Sequence, residues 1–264
     1  MDLIIDIGNT RAKVFAFEGD RIVEGMTTGH TLAGVEEFSK RTGCQRGIFS
    51  TTANIPDEGK RVLASLGFEM MQLTGQTPVP VNIMYHTTET LGADRIAGIV
   101  GARSLQPEGD LLVVDTGTCI TIDILDRANH YLGGNISPGL EMRLKAMNKW
   151  TAALPLIGRD GECPELGYDT DTALRSGVVW GMKYEIEGYI RAFQKKYPGL
   201  SVFLTGGDVK KLDISPKITN FAGAKIGISS EKAKQNLAFR SDCTIFADDF
   251  LVPRGLKQIL NYNK

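Results

Sequence analysis

Apolar positions along this chain fall into short runs bounded by turn residues, with helical periodicity in the stretches between them. Residues 3–17 read LIIDIGNTRAKVFAF and residues 112–124 read LVVDTGTCITIDI. In each, a continuously apolar run ends in Asp-x-Gly followed by Asn or Thr, and a second β-prone run follows. The pattern predicts a β-hairpin whose first arm is a central strand buried on both faces. Asp6 corresponds to Asp115, Gly8 to Gly117 and Asn9 to Thr118, at a constant offset close to half the chain. Asp-x-Gly is an ordinary turn sequence for backbone reasons alone. Its recurrence after two buried strands half a chain apart favours a duplicated domain.

Between the hairpins, residues 47–50 and 69–73 predict strands and 57–66 a short helix, while Pro78 and Pro80 keep 77–80 extended. Ala93, Ile96, Ala97, Val100 and Ser104 are spaced as one face of a helix. In the second half the glycine-rich stretch 133–139 predicts a loop, followed by helices over 140–150 and 172–197. The longer helix carries a stripe, Leu174, Val178, Met182, Ile186, Ile190, Phe193 and Tyr197, and stops at Pro198-Gly199. That stripe has more apolar positions than the sheet of a small domain need cover, which suggests a second copy of the chain; packing within one chain is the alternative. A strand at 202–204 leads into Thr205-Gly206-Gly207-Asp208, and a helix around 255–260 closes the chain. Strands followed by helices in each half give an α/β protein of two similar domains, 1–110 and 111–264.

Composition narrows the function classes. At about 150 residues per domain, 264 residues suit one or two domains. Thirty Lys plus Arg against 31 Asp plus Glu, a net charge of -1, give no support to a nucleic-acid or polybasic membrane protein. No apolar run approaches the ~20 residues of a transmembrane helix. The N-terminus, Met1-Asp2-Leu3-Ile4-Ile5-Asp6, lacks the basic start of a signal peptide. Cys44, Cys119, Cys163 and Cys243 form no C-x-x-C pair and His30, His86 and His130 are scattered, so reduced thiols in a cytoplasmic protein are expected rather than a zinc site.

The hairpin turns suggest chemistry. Small residues in a tight turn leave backbone N–H groups pointing outward, where they can cradle an anion. Asn9, Thr10 and Thr118 can add donors and Lys13 a point charge for phosphate. Asp6 and Asp115, at strand ends, suit a metal ion or metal-bound water beside phosphates. Thr205-Gly206-Gly207-Asp208 matches neither a Rossmann fingerprint nor a P-loop; it fits close approach to a nucleotide, or a plain strand–helix turn. Asp94 is either a helix N-cap or a proton acceptor for a substrate hydroxyl. Arg95 beside it opposes the helix macrodipole, and a local rule broken there hints at a site for a substrate carboxylate or phosphate. Tyr85 either lines the same pocket or is a half-buried strand tyrosine.

Taken together, Asp6-Ile7-Gly8-Asn9-Thr10, Gly92-Ala93-Asp94-Arg95, Asp115-Thr116-Gly117-Thr118 and Gly133-Gly134-Asn135-Ile136-Ser137-Pro138-Gly139 resemble the type III pantothenate kinases. The likeness runs nearly end to end, through Leu154-Pro155, Gly167-Tyr168-Asp169-Thr170, Thr205-Gly206-Gly207-Asp208 and Gly255-Leu256. Asp-x-Gly-x-Thr alone is common to the actin-like ATPase superfamily; the Gly-Ala-Asp-Arg and Gly-Gly-x-Ile-x-Pro-Gly segments are specific. The resemblance implies two ribonuclease H-like (actin-like ATPase) domains related by duplication with a cleft between them, and ATP-dependent phosphorylation of pantothenate, the first step of coenzyme A synthesis. It also implies a homodimer and dependence on potassium or ammonium. Carried across, Asp6, Ile7, Gly8, Asn9, Thr10, Arg11, Ala12, Lys13 and Thr118 would bind the phosphates of ATP with its magnesium. Asp94 would be the general base. Tyr85, Gly92, Ala93, Asp94, Arg95 and Thr170 would contact pantothenate, Thr170 from the partner subunit, and Asp115 would hold the monovalent cation. The sequence departs at Cys119, where the family often has Ala, at Thr87-Thr88-Glu89-Thr90, which lacks the family's usual Pro and Asn, and at Ser50-Thr51-Thr52-Ala53-Asn54. A kinase of the same superfamily acting on a sugar or short acid is an alternative, as is a nucleotide-binding regulator on the same scaffold. The Gly-Ala-Asp-Arg match argues against the first and the presence of Asp94 and Arg95 against the second.

Overall fold

Strand β1 (Asp2–Ile7) carries Leu3, Ile4, Ile5 and Ile7, all without solvent exposure, because neighbours cover it on both edges and both faces. It belongs to a computed structural model that describes residues 1–212, 218–220 and 244–264; Cys243 lies outside them. The chain forms two units: Met1–Glu108, Ala128–Gly133 and Phe250–Lys264 in the first, Gly109–Arg127 and Gly134–Asp249 in the second. The first unit therefore takes up the C-terminal helix as well as the N-terminal residues.

In chain order the first unit has β1, β2 (Ala12–Glu18), β3 (Arg21–Thr28), α1 (Val35–Thr42), β4 (Arg46–Thr51), α2 (Asp57–Ala64), β5 (Met70–Gln72), β6 (Asn82–Ile83), a 3-10 turn at Thr88–Thr90 and α3 (Ala93–Leu105). Its sheet runs β3-β2-β1-β4-β5. β1 and β2 make the expected antiparallel hairpin, with Asp6 opposite Lys13, and β4 lies parallel on the other edge with Ser50 opposite Asp6. Val35 and Phe38 of α1 close one face over Leu3, Ile5, Ile7 and Val14.

The second unit contributes β7 (Leu111–Thr116), β8 (Cys119–Leu125), β9 (His130–Pro138), α4 (Leu140–Trp150), α5 (Thr170–Lys196), β10 (Ser201–Thr205), the single-turn α6 (Val209–Leu212), β11 (Ile218–Asn220) and β12 (Thr244–Ala247). Its sheet runs β11-β12-β10-β7-β8-β9. The first residues of β9, which belong to the first unit, pair with β6. β7 repeats the circumstances of β1. It has an antiparallel hairpin partner, with Asp115 opposite Thr121, and a parallel neighbour, with Asp115 opposite Thr205. α4 and α5 cover this sheet with Leu140, Leu144, Val178, Met182 and Ile186 over Leu112, Val114, Ile120 and Ile122. The stripe of α5 is thus spent on the unit's own core and does not by itself call for a second copy.

The last helix, α7 (Leu251–Tyr262), returns to the first unit and lies against α3. It is longer than the periodicity alone indicates, because Pro253 falls in its first turn, where proline costs no hydrogen bond. Glycines set how closely α7 and α3 approach: a Cβ on Gly101 would lie 2.2 Å from the Leu251 carbonyl oxygen. α3 is buried nearly all round rather than on one face, while Ser104 is exposed. Of the stretch 133–139, residues 133–138 are not loop but most of β9, and Gly139 is the N-cap of α4. The glycines of β9 let the strand lie close to its neighbour, for a Cβ on Gly134 would meet the Ile122 carbonyl oxygen at 2.0 Å.

Candidate active site

In the first unit the turn after β1 is closed by the Gly8 N–H donating to Arg11 O at 3.1 Å. His30 Nε2 donates to Gly8 O at 2.9 Å and braces the turn from outside. Asn9, Thr10 and Arg11 stand exposed, Ile7 and Ala12 are buried in the strands, and Lys13 is half-buried opposite Asp6. Asp6 accepts from Ser50 Oγ at 3.1 Å. Burial raises its pKa above the ordinary 3.8, Lys13 and the Ser50 hydrogen bond oppose the rise, and the nearby Asp94 carboxylate adds to it. Asp6, Lys13, Ser50 and Asp94 are therefore one electrostatic cluster, at the ends of β1 and β4 and the starts of β2 and α3.

Gly92 occupies the N-cap of α3, so Asp94 is not the cap but the second helical residue. Its Oδ1 accepts the Arg95 N–H at 2.9 Å, and a Cβ on Gly92 would come within 2.5 Å of that oxygen. Ala93 is buried behind it. Arg95 is only 6% exposed, and its guanidinium carbon lies 5.6 Å from the ring centroid of Tyr85. Tyr85 in turn tilts against the buried Tyr131, with ring centroids 6.3 Å apart, and lies along Gly133, whose φ is +103°. A side chain at Gly133 would press on the tyrosine ring at 3.3 Å. Tyr85, Gly92, Ala93, Asp94 and Arg95 are thus brought together.

In the second unit Asp115 is half-buried at the end of β7 and Thr118 is exposed on the turn, where Gly117 N–H donates to Cys119 O at 2.9 Å. The Thr118 carbonyl accepts from Gly139 N–H at 3.0 Å, so the start of α4 supports this turn. Gly206, with φ +98°, lies flat on Asp115 and Thr116; a Cβ there would be 2.5 Å from Asp115 Oδ1. Thr116 Oγ1 donates to Thr205 O at 3.1 Å and Asp208 N–H to Thr116 O at 3.1 Å, locking the Gly-Gly turn onto the hairpin. Thr170 is on a different element: it is the exposed first residue of α5, after Asp169, which caps the helix in a capping box with Thr172.

Ser50, His30, Tyr131 and the packing role of Gly133 escape sequence reasoning. Ser50 reaches Asp6 through strand register across 44 positions, and nothing local marks it. Among the described residues no group of three or more His, Cys, Asp or Glu is arranged to hold a metal, and no helix is long and apolar enough to cross a membrane.

Two α/β units, each with a carboxylate at the end of a strand flanked by one antiparallel and one parallel neighbour, have the ribonuclease H-like fold of the actin-like ATPases. Solved structures are similar in fold. A conserved Campylobacter jejuni protein assigned to the Baf family of transcriptional activators aligns with a TM-score of 0.56 at 23% identity, over 99% of this chain and 98% of that one. The activator of the 2-hydroxyisocaproyl-CoA dehydratase from Clostridium difficile, solved with bound ADPNP, aligns with a TM-score of 0.52 at 12% identity, over 99% of this chain and 94% of that one. The family model of the type III pantothenate kinases matches residues 2–192. A type III pantothenate kinase of Phocaeicola vulgatus is 41% identical over 264 residues, 100% of this chain and 99% of the relative. The chain belongs to the type III pantothenate kinase family.

Proposed function

We propose that this protein transfers the γ-phosphoryl group of ATP to the primary hydroxyl of pantothenate, giving 4'-phosphopantothenate, the first step of coenzyme A synthesis. The observation that carries the reading is the cluster at the start of α3: Asp94 beside Asp6, with Arg95 buried next to it over Tyr85. Asp94 accepts the hydroxyl proton as the oxygen attacks the γ-phosphorus and the bond to the departing ADP oxygen breaks. Arg95, the backbone at Gly92 and Ala93, and the Tyr85 ring hold the pantothenate carboxylate and amide. Thr170, contributed by a partner subunit, adds a hydroxyl. The turn from Asp6 to Lys13 cradles the phosphates.

Magnesium fits a site with one half-buried carboxylate, Asp6, because it keeps several waters and takes its other ligands from phosphate oxygens. When bound it neutralises charge building on those oxygens. The Asp115 carboxylate and the Thr116 carbonyl oxygen both lie against the Gly206 backbone, which suits a weakly hydrated monovalent cation, potassium or ammonium. The exposed apolar side chains of the second unit, Trp150, Leu166 and Tyr168 among them, give a second copy a surface to cover in a homodimer. The localisation consistent with these substrates is the cytoplasm. The halves 1–110 and 111–264 descend from one duplicated unit.

The test is a panel of hydroxy acids, sugars and pantothenate incubated with magnesium–ATP, following phosphorylated product, in potassium and in sodium at equal ionic strength. Pantothenate alone is converted, faster in potassium, by a species that light scattering sizes as a dimer. Preference for a sugar, or nucleotide binding with no product from any acceptor, overturns the reading.

A further inference from the structure

Residues 151–169 join α4 to α5 without helix or strand, yet they are pinned at many points of the second unit. Arg175 donates to Gly158 O and Glu162 O, both at 3.2 Å, and Trp180 Nε1 to Pro164 O at 3.1 Å. Gly161, with φ +134°, lies flat on the Arg175 guanidinium, where a Cβ would be 2.8 Å from Cζ. In the middle of this strap Arg159 donates to the carboxylate of Asp208, and Lys211 Nζ donates to Arg159 O at 3.1 Å while pairing with Asp160.

Asp208 is 5% exposed, and burial raises its pKa against the pull of Arg159 and then Lys211. A carboxylate so placed is costly without its cation. It is also the last residue of the turn that lies on Asp115. Its N–H holds Thr116 O, while Gly206, two residues earlier, lies so close to Asp115 that a Cβ on it would come within 2.5 Å of Oδ1. A chain of direct contacts thus runs from Arg159 through Asp208 to the hairpin that carries Asp115 and Thr118. We propose that Arg159 is a positioning residue: through Asp208 it presses the turn at 205–208 onto Asp115 and so sets how tightly the site takes its monovalent cation. The cation half of this rests on the assignment of Asp115 made above; the positioning half does not.

The full-length enzyme is tested as Arg159→Gln, Arg159→Lys and Asp208→Asn, the last a near-isosteric change that keeps the backbone N–H and suits the case in which Arg159→Gln fails to fold. Potassium activation is titrated at saturating ATP and pantothenate, and hydrogen exchange of the backbone at 205–208 is followed without ligand. Arg159→Gln and Asp208→Asn raise the half-stimulating potassium concentration about 10- to 100-fold, as loss of a support behind a metal ligand does. Turnover recovers at high potassium, exchange at 205–208 quickens, and Arg159→Lys restores part of both. A potassium curve that superimposes on wild type overturns the proposal, as does a loss of turnover with the half-stimulating concentration unmoved. If the wild-type enzyme does not discriminate potassium from sodium, the assignment of Asp115 fails instead. The exchange measurement then decides the positioning role: unchanged protection at 205–208 in Arg159→Gln overturns it and faster exchange supports it.

Discussion

Arg95 lies buried in the first turn of α3 with its guanidinium 5.6 Å from the ring centroid of Tyr85, although a cation at that end of a helix works against the macrodipole. The ring face compensates part of that cost. Tyr85→Leu removes the ring while keeping apolar bulk against Tyr131. A cation–π contact of about 0.5–2 kcal/mol corresponds to a rise of roughly 2- to 30-fold in the KM for pantothenate, with a smaller effect on kcat and none on the KM for ATP. Steady-state kinetics against both substrates check this; equal rises in both KM values would assign Tyr85 to the fold alone.

The same cluster shows what a sequence discloses and what it hides. β1 and β7 are legible because a strand covered on both faces is apolar throughout, and each ends in a turn whose residues are chosen by backbone geometry. Arg95 is legible because it breaks a local rule. β9 is not legible, since Gly133 and Gly134 carry the composition of a loop while serving close packing between strands. β3 hides for a related reason: Gly25 interrupts it, and the missing side chain makes room for the Phe15 ring, which a Cβ would meet at 2.8 Å. Ser50 and Tyr131 join the site by register and packing far along the chain, where no spacing rule reaches.

Gly255 of α7 has no room for a side chain, because a Cβ there would lie 1.7 Å from the Ala97 carbonyl oxygen in α3. Backbone cannot yield as the end of a flexible side chain does, so Gly255→Ala forces the two helices apart. We expect a loss of about 3 kcal/mol, at the upper end of overpacking costs, read from urea unfolding. Gly188→Ala in α5, where nothing lies within 4 Å, is the control and stabilises or leaves the melt unchanged. Because α3 carries Asp94 and Arg95 in the turn just before Ala97, any folded Gly255→Ala enzyme also shows a raised KM for pantothenate.

The start of β1 is tied to the last helix by charge. Asp2, on the first strand, takes Arg46 Nε and Lys257 Nζ, each at 2.6 Å, and Lys257 is itself 3% exposed. Burial pushes the Asp2 pKa up, but the hydrogen bonds and charges of Arg46 and Lys257 outweigh it and bring it from 3.8 to about 2. A carboxylate depressed in the folded state contributes stability that is complete above its unfolded value near 3.8 and is lost as pH falls through about 2. Lys257→Met leaves Asp2 with one partner and costs about 3 kcal/mol at neutral pH. It also moves the acid-unfolding midpoint to higher pH. A circular-dichroism titration in which the midpoint stays put would show that Arg46 alone holds Asp2.

Asp94 and Asp6 carry the last prediction, because their proximity makes one substitution act on activity and on stability in opposite senses. The Asp6 pKa is raised in the folded protein, by burial first and by Asp94 in addition. For a carboxylate raised on folding, the folded state is favoured while the group is protonated, and that advantage is lost as pH rises through the raised value. Without ligand, the Asp94 charge beside Asp6 therefore works against the fold. Asp94→Asn removes one of the two charges and keeps the shape of the side chain. The ligand-free variant melts higher than wild type at pH 7, and the gap is smaller at pH 4, since lowering the pH favours the protonated form of Asp6. Turnover moves the other way and falls by about 10²–10⁴-fold, the usual contribution of a positioned base, while binding of magnesium–ATP persists. Differential scanning calorimetry at the two pH values, beside product formation, reads both effects. A variant that melts higher yet turns over normally would take the role of base from Asp94 and leave it a charge that the site tolerates for another purpose.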